Sequence, residues 1–269
     1  GVQPLGKMNL SPDYLRSIQN LVTSPYGMVL AVGPTGSGKT TTLHAMLGKV
    51  NAVEKKVWTV EDPVEITQPG LRQMQVNPQI GLSFASAMRS FLRADPDVIM
   101  VGEMRDEETA HMAIEASLTG HLVFSTLHTN NARKTVDRLI DVFPADQQSQ
   151  IRTMLAASLR GVVAQLLCKR SDKPGRVAVN EIMVSNSAVS AIIREGATQK
   201  LYDVIIGGKG EGMQFMDEAI WGNLKNGVIN PFEAYMKAID KKRFKAYLPE
   251  DLQELGHSGG EIENAAASA

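Results

Sequence analysis

Between residue 26 and about residue 168 the chain alternates short apolar runs with amphipathic stretches of helical period. Mostly apolar runs at 28–32, 57–61, 98–101 and 122–126 have the texture of strands in a parallel sheet covered on both faces. The intervening stretches 39–50, 84–94, 107–118 and 133–142 predict the covering helices, and Ser83, after a loop at 77–81, is a natural N-cap for the second. Alternation of strand and helix predicts an α/β fold on a mostly parallel sheet. After a turn at 171–175 the texture changes: one more strand-like run, 176–184, leads into short helical pieces punctuated by Gly. The expected organisation is a core over 1–170, a small mainly helical subdomain over 171–248, and a disordered tail over 249–269 where Gly, Glu, Asn, Ser and Ala dominate. The Met and Phe residues of 212–217 read as packing residues of a helix.

Composition narrows the class. With 43% hydrophobic and 21% charged residues this is a folded domain. Lys and Arg number 28 against 29 Asp and Glu, a formal charge of -1, so no basic field points to nucleic acid. Lys241, Lys242 and Arg243 form a short basic run that reads as a solvated face. No apolar run approaches the roughly 20 residues of a membrane-spanning helix. The single Cys168 excludes an internal disulfide and a four-cysteine zinc site, and reads as a small buried residue. The chain starts at Gly1 without Met and without the features of a signal peptide, and is expected to be a piece of a longer protein.

Gly33, Pro34, Thr35, Gly36, Ser37, Gly38, Lys39 and Thr40 fill every position of the P-loop pattern, with Thr41 following, directly after an apolar strand and before a helix. Glycines allow successive N–H groups to surround a phosphate, and the helix beginning near Lys39 adds the positive end of its dipole. Lys39 is expected to reach the β- and γ-phosphates and Thr40 to ligate Mg2+. Ligands in such sheets lie beyond the carboxyl ends of the strands, and the other predicted strands deliver polar residues there. Glu103, just past 98–101, is placed to polarise an attacking water or to hold the metal's hydration shell; the plainer alternative is a loop carboxylate at the start of the next helix. Glu65 and Asp62, in a loop marked by Pro63 and Pro69, have a weaker claim from spacing alone. His121 and His128 are seven residues apart and point to opposite faces of one strand, which makes them poor partners for a single metal. His128, at the carboxyl end, is placed to sense a γ-phosphate, and His121, at the amino end, reads on geometry as structural. Arg89 and Arg93 share a helix face. They are either arginine fingers reaching a neighbouring subunit or a solvated basic edge; Arg72 and Arg105 are further candidates for the first role.

Together, 33–40, 60–65, 95–106 and 119–130 resemble the Walker A, Asp box, Walker B and His box of the type II secretion and type IV pilus ATPase family, a resemblance covering about 5–165. It implies a RecA-like P-loop NTPase fold, ATP and Mg2+ as cofactors, and a hexameric homo-oligomer. It also implies a motor that drives pilus extension, pilus retraction or secretion through an inner-membrane platform protein. Such a motor works from the cytoplasmic face of the inner membrane, with peripheral membrane association only and no nucleic acid. Glu65 and Glu103 correspond to glutamates essential for hydrolysis in that family, and both His121 and His128 gain weight from the same resemblance. Residues 188–196 and 212–217 are similar to elements of PilT-type retraction motors, whereas 118–130 is worded more like the extension and secretion branch. The lone Cys168 departs from the zinc-bearing subtypes. Family members also carry an N-terminal domain that supplies arginines to the neighbour's nucleotide; the chain starts too late to contain it, so weak hexamers and low turnover are expected. The rival readings are a nucleic-acid-translocating RecA-like ATPase, opposed by the charge balance, and a structural ring subunit that binds ATP, opposed by Glu65 and Glu103.

Overall fold

The computed structural model describes residues 2–8 and 10–254. Seven strands, β1 (Gly27–Val32), β2 (Val57–Glu61), β3 (Arg72–Gln75), β4 (Val98–Val101), β5 (Leu122–Leu127), β6 (Leu159–Lys169) and β7 (Arg176–Val184), form one sheet in the order β3-β2-β4-β5-β1-β6-β7. The pairs β3–β2, β2–β4, β4–β5, β5–β1 and β1–β6 are parallel. Every residue of β1, β4 and β5 is buried, which explains why these strands read as unbroken apolar runs.

Six helices, α1 (Pro12–Val22), α2 (Lys39–Val50), α3 (Phe84–Ala94), α4 (Glu107–Leu118), α5 (Ala132–Asp141) and α6 (Gln148–Ser158), belong to the part of the chain before β6. Their starts are chemically set. Ser11, Ser83, Asp106 and Asn131 each accept a backbone N–H three residues on, and Ser83 with Ser86 closes a reciprocal capping box. The core gathers Leu43 and Leu47 from α2, Ile18 and Leu21 from α1, and Val29 and Phe124 from the sheet, each fully buried side chain adding about 1.5–3 kcal/mol. Trp58 of β2 meets Phe91 of α3 edge to face at 5.2 Å, and the Arg72 guanidinium lies 5.3 Å from the Trp58 ring.

The four helices and four parallel strands expected from periodicity are present within one residue at each end. Two strands lay outside that expectation. β3, Arg-Gln-Met-Gln, is a polar edge strand without apolar alternation, and β6 follows α6 with no turn residue to announce it.

The chain divides into two compact units, Gly1–Gln165 with Glu181–Gln214, and Leu166–Asn180 with Phe215–Ala269. The first also contains α7 (Ser187–Glu195) and α8 (Leu201–Gly207). In the second, α9 (Met216–Lys225), α10 (Pro231–Lys237) and α11 (Lys241–Lys245) are tied by Asp217, whose buried carboxylate accepts the Ile239 and Asp240 N–H groups, each at 2.8 Å. Burial outweighs those two bonds and raises its pKa. Cys168 is buried, and burial, helped by the charge of Glu233, pushes its thiol up to about 12. Met213 and Met216 are buried as expected of packing residues, but Met213 precedes the helix, beside the bridge that pairs Ile182 with Gln214. Of the segment 249–269, a short helix α12 (Glu250–Gln253) is described, and residues 255–269 lie outside the described range.

Candidate functional site

The loop between β1 and α2 is shaped by backbone that only glycine adopts easily. Gly36 and Gly38 have φ of +79° and +84°. A Cβ on Gly33 would lie 2.4 Å from both the Gln165 carbonyl oxygen and Ser37 Oγ. Gly38, in the left-handed region, is the N-cap of α2 and offers no side chain to the first-turn N–H groups. That end of α2 is free to receive an anion.

Gln165 of β6 holds this loop from behind. Its Nε2 donates to the Ser37 carbonyl at 2.6 Å, and its Oε1 accepts the Thr42 hydroxyl at 2.8 Å. One buried amide thereby fixes the loop and the first turn of the helix together. Ser37 Oγ itself is buried with no partner among the described residues.

The loop opens onto a cleft of about 440 Å³ at the carboxyl edge of the sheet, lined by Thr35, Gly36, Gly38, Lys39, Thr40 and Thr41 and by Asp62, Glu65, Gly102, Glu103, Arg105 and His128. Glu61 and Phe84 also reach it. Lys39 Nζ lies 3.2 Å from His128 Nδ1, and His128 Nε2 lies 3.5 Å from Glu103 Oε2. An ammonium has only protons to give, so it donates to Nδ1, and the ring proton then sits on Nε2, facing Glu103. Burial lowers the Lys39 pKa, opposed by the carboxylates of Glu103 and Glu65. Arg105 Nε meets Glu103 Oε2 at 2.7 Å. The Arg105 side chain is 70% exposed and that of Glu103 only 12%, so water screens this pair and little is needed to break it. Glu103 does not cap α4; Asp106 does, through the Thr109 N–H at 2.8 Å.

The donor set suits a hard divalent cation. The Thr40 hydroxyl and the carboxylates of Glu103, Glu65 and Asp62 share the cleft, all oxygen ligands of the kind Mg2+ takes together with phosphates and water. Among the described residues no group of three or more His, Cys, Asp or Glu is arranged as a self-sufficient metal site.

Not every sequence candidate comes to the cleft. His121 is nearly buried at the amino end of β5, with Nδ1 2.8 Å from the Pro96 carbonyl oxygen. Arg89 is exposed and pairs with Glu108 of α4, and Arg93 is exposed at the last turn of α3. Gln165 and His44 are residues that spacing did not single out, and Glu61, counted among the polar residues at the end of the second strand, carried no role of its own. The available signal was a polar residue inside an otherwise apolar run, Gln165 within 162–168 and His44 within 43–47.

A glycine-rich loop entering a helix at the carboxyl edge of a parallel sheet, with carboxylates converging from neighbouring strands, defines a P-loop nucleotide-binding domain of the RecA-like class. The chain belongs to the type II/IV secretion system protein family, whose model matches residues 2–174. It is 47% identical over 225 residues to a twitching motility protein of Neisseria gonorrhoeae, covering 82% of this chain and 60% of that protein. It is 45% identical over 225 residues to the type IV pilus retraction ATPase PilT of Pseudomonas aeruginosa, covering 82% of this chain and 65% of the relative. The chain thus spans about three fifths of the length of these relatives. Its fold is similar to a crystal structure of the pilus retraction motor PilT with bound ADP, at a TM-score of 0.81 and 36% identity over 90% of this chain and 69% of that one.

Proposed function

We propose that this chain hydrolyses Mg-ATP as the catalytic part of a hexameric motor of the pilus and secretion type. The observation that carries the reading is the convergence of Lys39, Glu103, Glu65 and His128 on the one cleft that the P-loop opens. The P-loop amides and Lys39 bind the phosphates; Thr40, with Glu103, would hold Mg2+, which would supply neutralisation of the charge developing on the phosphates. Glu103 accepts the proton of the attacking water, helped by Glu65 across the cleft. His128 lies between Lys39 and Glu103, so a phosphate that draws Lys39 away frees Nδ1 and reports occupancy to the carboxylate. His121 we assign a structural role, fastening the start of β5 to the Pro96 carbonyl. Arg89 and Arg93 lie on an exposed helix face and are assigned to contacts with a neighbouring copy.

The twitching and retraction relatives support a role in pilus dynamics at the cytoplasmic face of the inner membrane, with a membrane platform protein as partner. Sequence likeness at 188–196 and 212–217 favours the retraction branch. Among the described residues no helix is long and apolar enough to cross a membrane, which suits a peripheral partner. Nucleic-acid translocation is disfavoured: in the one short basic run Lys241 caps the Tyr235 and Met236 carbonyls, and Arg243 pairs with Glu218 at 2.6 Å.

Phosphate release from Mg-ATP, measured across protein concentrations, tests the reading. Turnover per chain is expected to climb with concentration, because sites shared between subunits form only in the ring. Failure to bind ATP at millimolar concentration would sink the proposal, and stimulation by DNA with a steep salt dependence would replace it with the translocase reading.

A further inference from the structure

Behind the cleft, which it meets at Glu61, lies a buried polar cluster to which the reading of the cleft assigns no part in phosphate binding. His44 is fully buried on α2, among Leu43, Ala45, Met46 and Leu47. Its Nε2 lies 3.0 Å from Glu61 Oε1 and its Nδ1 3.0 Å from Gln68 Oε1. Glu61 Oε2 accepts the Thr59 hydroxyl at 2.9 Å and Gln73 Nε2 at 3.0 Å. Gln73 in turn donates to the Ile66 carbonyl at 2.8 Å and accepts the Gln68 N–H at 2.9 Å. One imidazole–carboxylate pair therefore joins the P-loop helix, the end of β2, the edge strand β3 and the 62–71 loop.

The geometry points to His44 as a positioning residue for the phosphate chemistry of the cleft: it fastens α2, and with it Lys39 and Thr40, to β2 and to the loop that carries Glu65. This rests on the reading of the cleft as a site of ATP hydrolysis, and it identifies what keeps the phosphate-binding and carboxylate-bearing sides in register. Fold stability alone does not call for such a pair, since well-packed apolar side chains serve a helix–sheet seam as well or better. Its value is directional, because hydrogen bonds fix an orientation that methyl groups leave loose.

Both ring nitrogens face oxygens, with the Gln68 amide nitrogen turned towards Gly48. A doubly protonated ring satisfies both oxygens at once, whereas a neutral ring sets a lone pair against one of them. The groups in contact with the ring are Glu61 from β2 and Gln68 from the loop, and the charge of Glu65 on the same loop acts on it from further off. Burial pulls the ring's pKa down, but the bonds to Glu61 and Gln68 and the charges of Glu61 and Glu65 outweigh it, so the value is raised above 6.5. The brace is complete below that raised value and loosens as pH climbs through it.

The test uses the whole chain, its His44→Phe variant, and His44→Gln, which keeps a donor. In the ligand-free wild type, NMR of the ring nitrogens is expected to find both protonated on the acid side of the ring's raised pKa and one proton lost as pH climbs through it. In His44→Phe the backbone amides of Val64 and Gln68 should lose protection from exchange. With Mg-ATP, kcat should fall about 10-fold in His44→Phe while KM moves less than about twofold, as expected when geometry rather than binding is lost. His44→Gln should recover part of kcat, and the fall in wild-type kcat as pH climbs through the raised His44 pKa should vanish in it. Wild-type kcat and wild-type exchange in His44→Phe would overturn the inference. If the wild type releases no phosphate, the hydrolytic reading fails by itself, and a neutral ring or unchanged exchange then decides against the brace. Should His44→Phe not fold, the ring titration and His44→Gln carry the decision.

Discussion

Glu61 and Glu103 stand at the ends of the neighbouring strands β2 and β4, and each faces a histidine nitrogen, Glu61 at 3.0 Å and Glu103 at 3.5 Å. Their surroundings differ in kind. Glu61 and His44 have side chains 5% and 0% exposed, and three side-chain donors occupy the carboxylate. Glu103 opens to the cleft, and both its partners are well exposed, His128 at 53% and Arg105 at 70%. Identical residue types thus yield a carboxylate held by three buried or half-buried partners, and an open one whose exposed partners can be displaced. Buried ion pairs are costly to break, and exposed ones are cheap. The division of labour between support and chemistry follows from donor count and burial.

Neutralising each carboxylate in turn sharpens that contrast. Glu103→Gln should show the largest effect, a loss of turnover of about 100- to 10,000-fold, with ATP affinity and thermal stability near those of the wild type. A parallel loss of binding would mean that Glu103 holds the ligand rather than the water. Glu61→Gln should act first on stability, destabilising the fold by about 3–5 kcal/mol because it leaves a buried partner charge uncompensated, with a loss of turnover of about 10-fold, as in His44→Phe, well below that of Glu103→Gln.

The Glu61 effect has a defined pH dependence. Burial raises the Glu61 pKa, but the His44, Gln73 and Thr59 bonds outweigh it and the net shift is downward. Its contribution is therefore present above its unfolded value and lost as pH falls through the folded one. For His44, shifted upward, the contribution is present below the unfolded value and lost as pH rises through the folded one. Denaturation of wild type and Glu61→Gln should differ most between these limits and converge on both sides. A gap independent of pH would show that the pair is not ionised.

What could be foreseen from the sequence divides along the same line. The open half of the site was legible: the P-loop spacing is local, and Glu103 and His128 follow buried apolar strands whose ends can be counted. The supporting half was not. Gln165 reaches Ser37 and Thr42 across 128 and 123 residues, and the spacing carries no trace of those bonds. His44 sits where helical period asks for an apolar side chain, and Gln73, which holds its partner Glu61, lies on β3, a strand too polar to be recognised by alternation. Arg89 and Arg93 share a helix face, as their spacing requires, yet only the tertiary fold brings Glu108 to Arg89. The opposite placement of His121 and His128 was readable because a strand's length and period fix both ends.

Gln165 offers the smallest and most discriminating test. Leu at this position conserves volume but leaves the Ser37 carbonyl and the Thr42 hydroxyl without their buried partner, at about 1–3 kcal/mol of stability. On the proposed reading the loop it holds contacts phosphate in ground state and transition state alike, so Gln165→Leu should raise KM for ATP about 10-fold and change kcat less than about threefold. An amide does not titrate, so the stability loss should be flat across the pH range in which the Glu61→Gln gap opens and closes. Calorimetry of both variants over that range separates two independent braces from one. If the Gln165→Leu loss tracks pH as the Glu61→Gln loss does, Thr42 and His44, two residues apart on α2, transmit strain to each other, and the support beneath the cleft is a single network from β6 to β3.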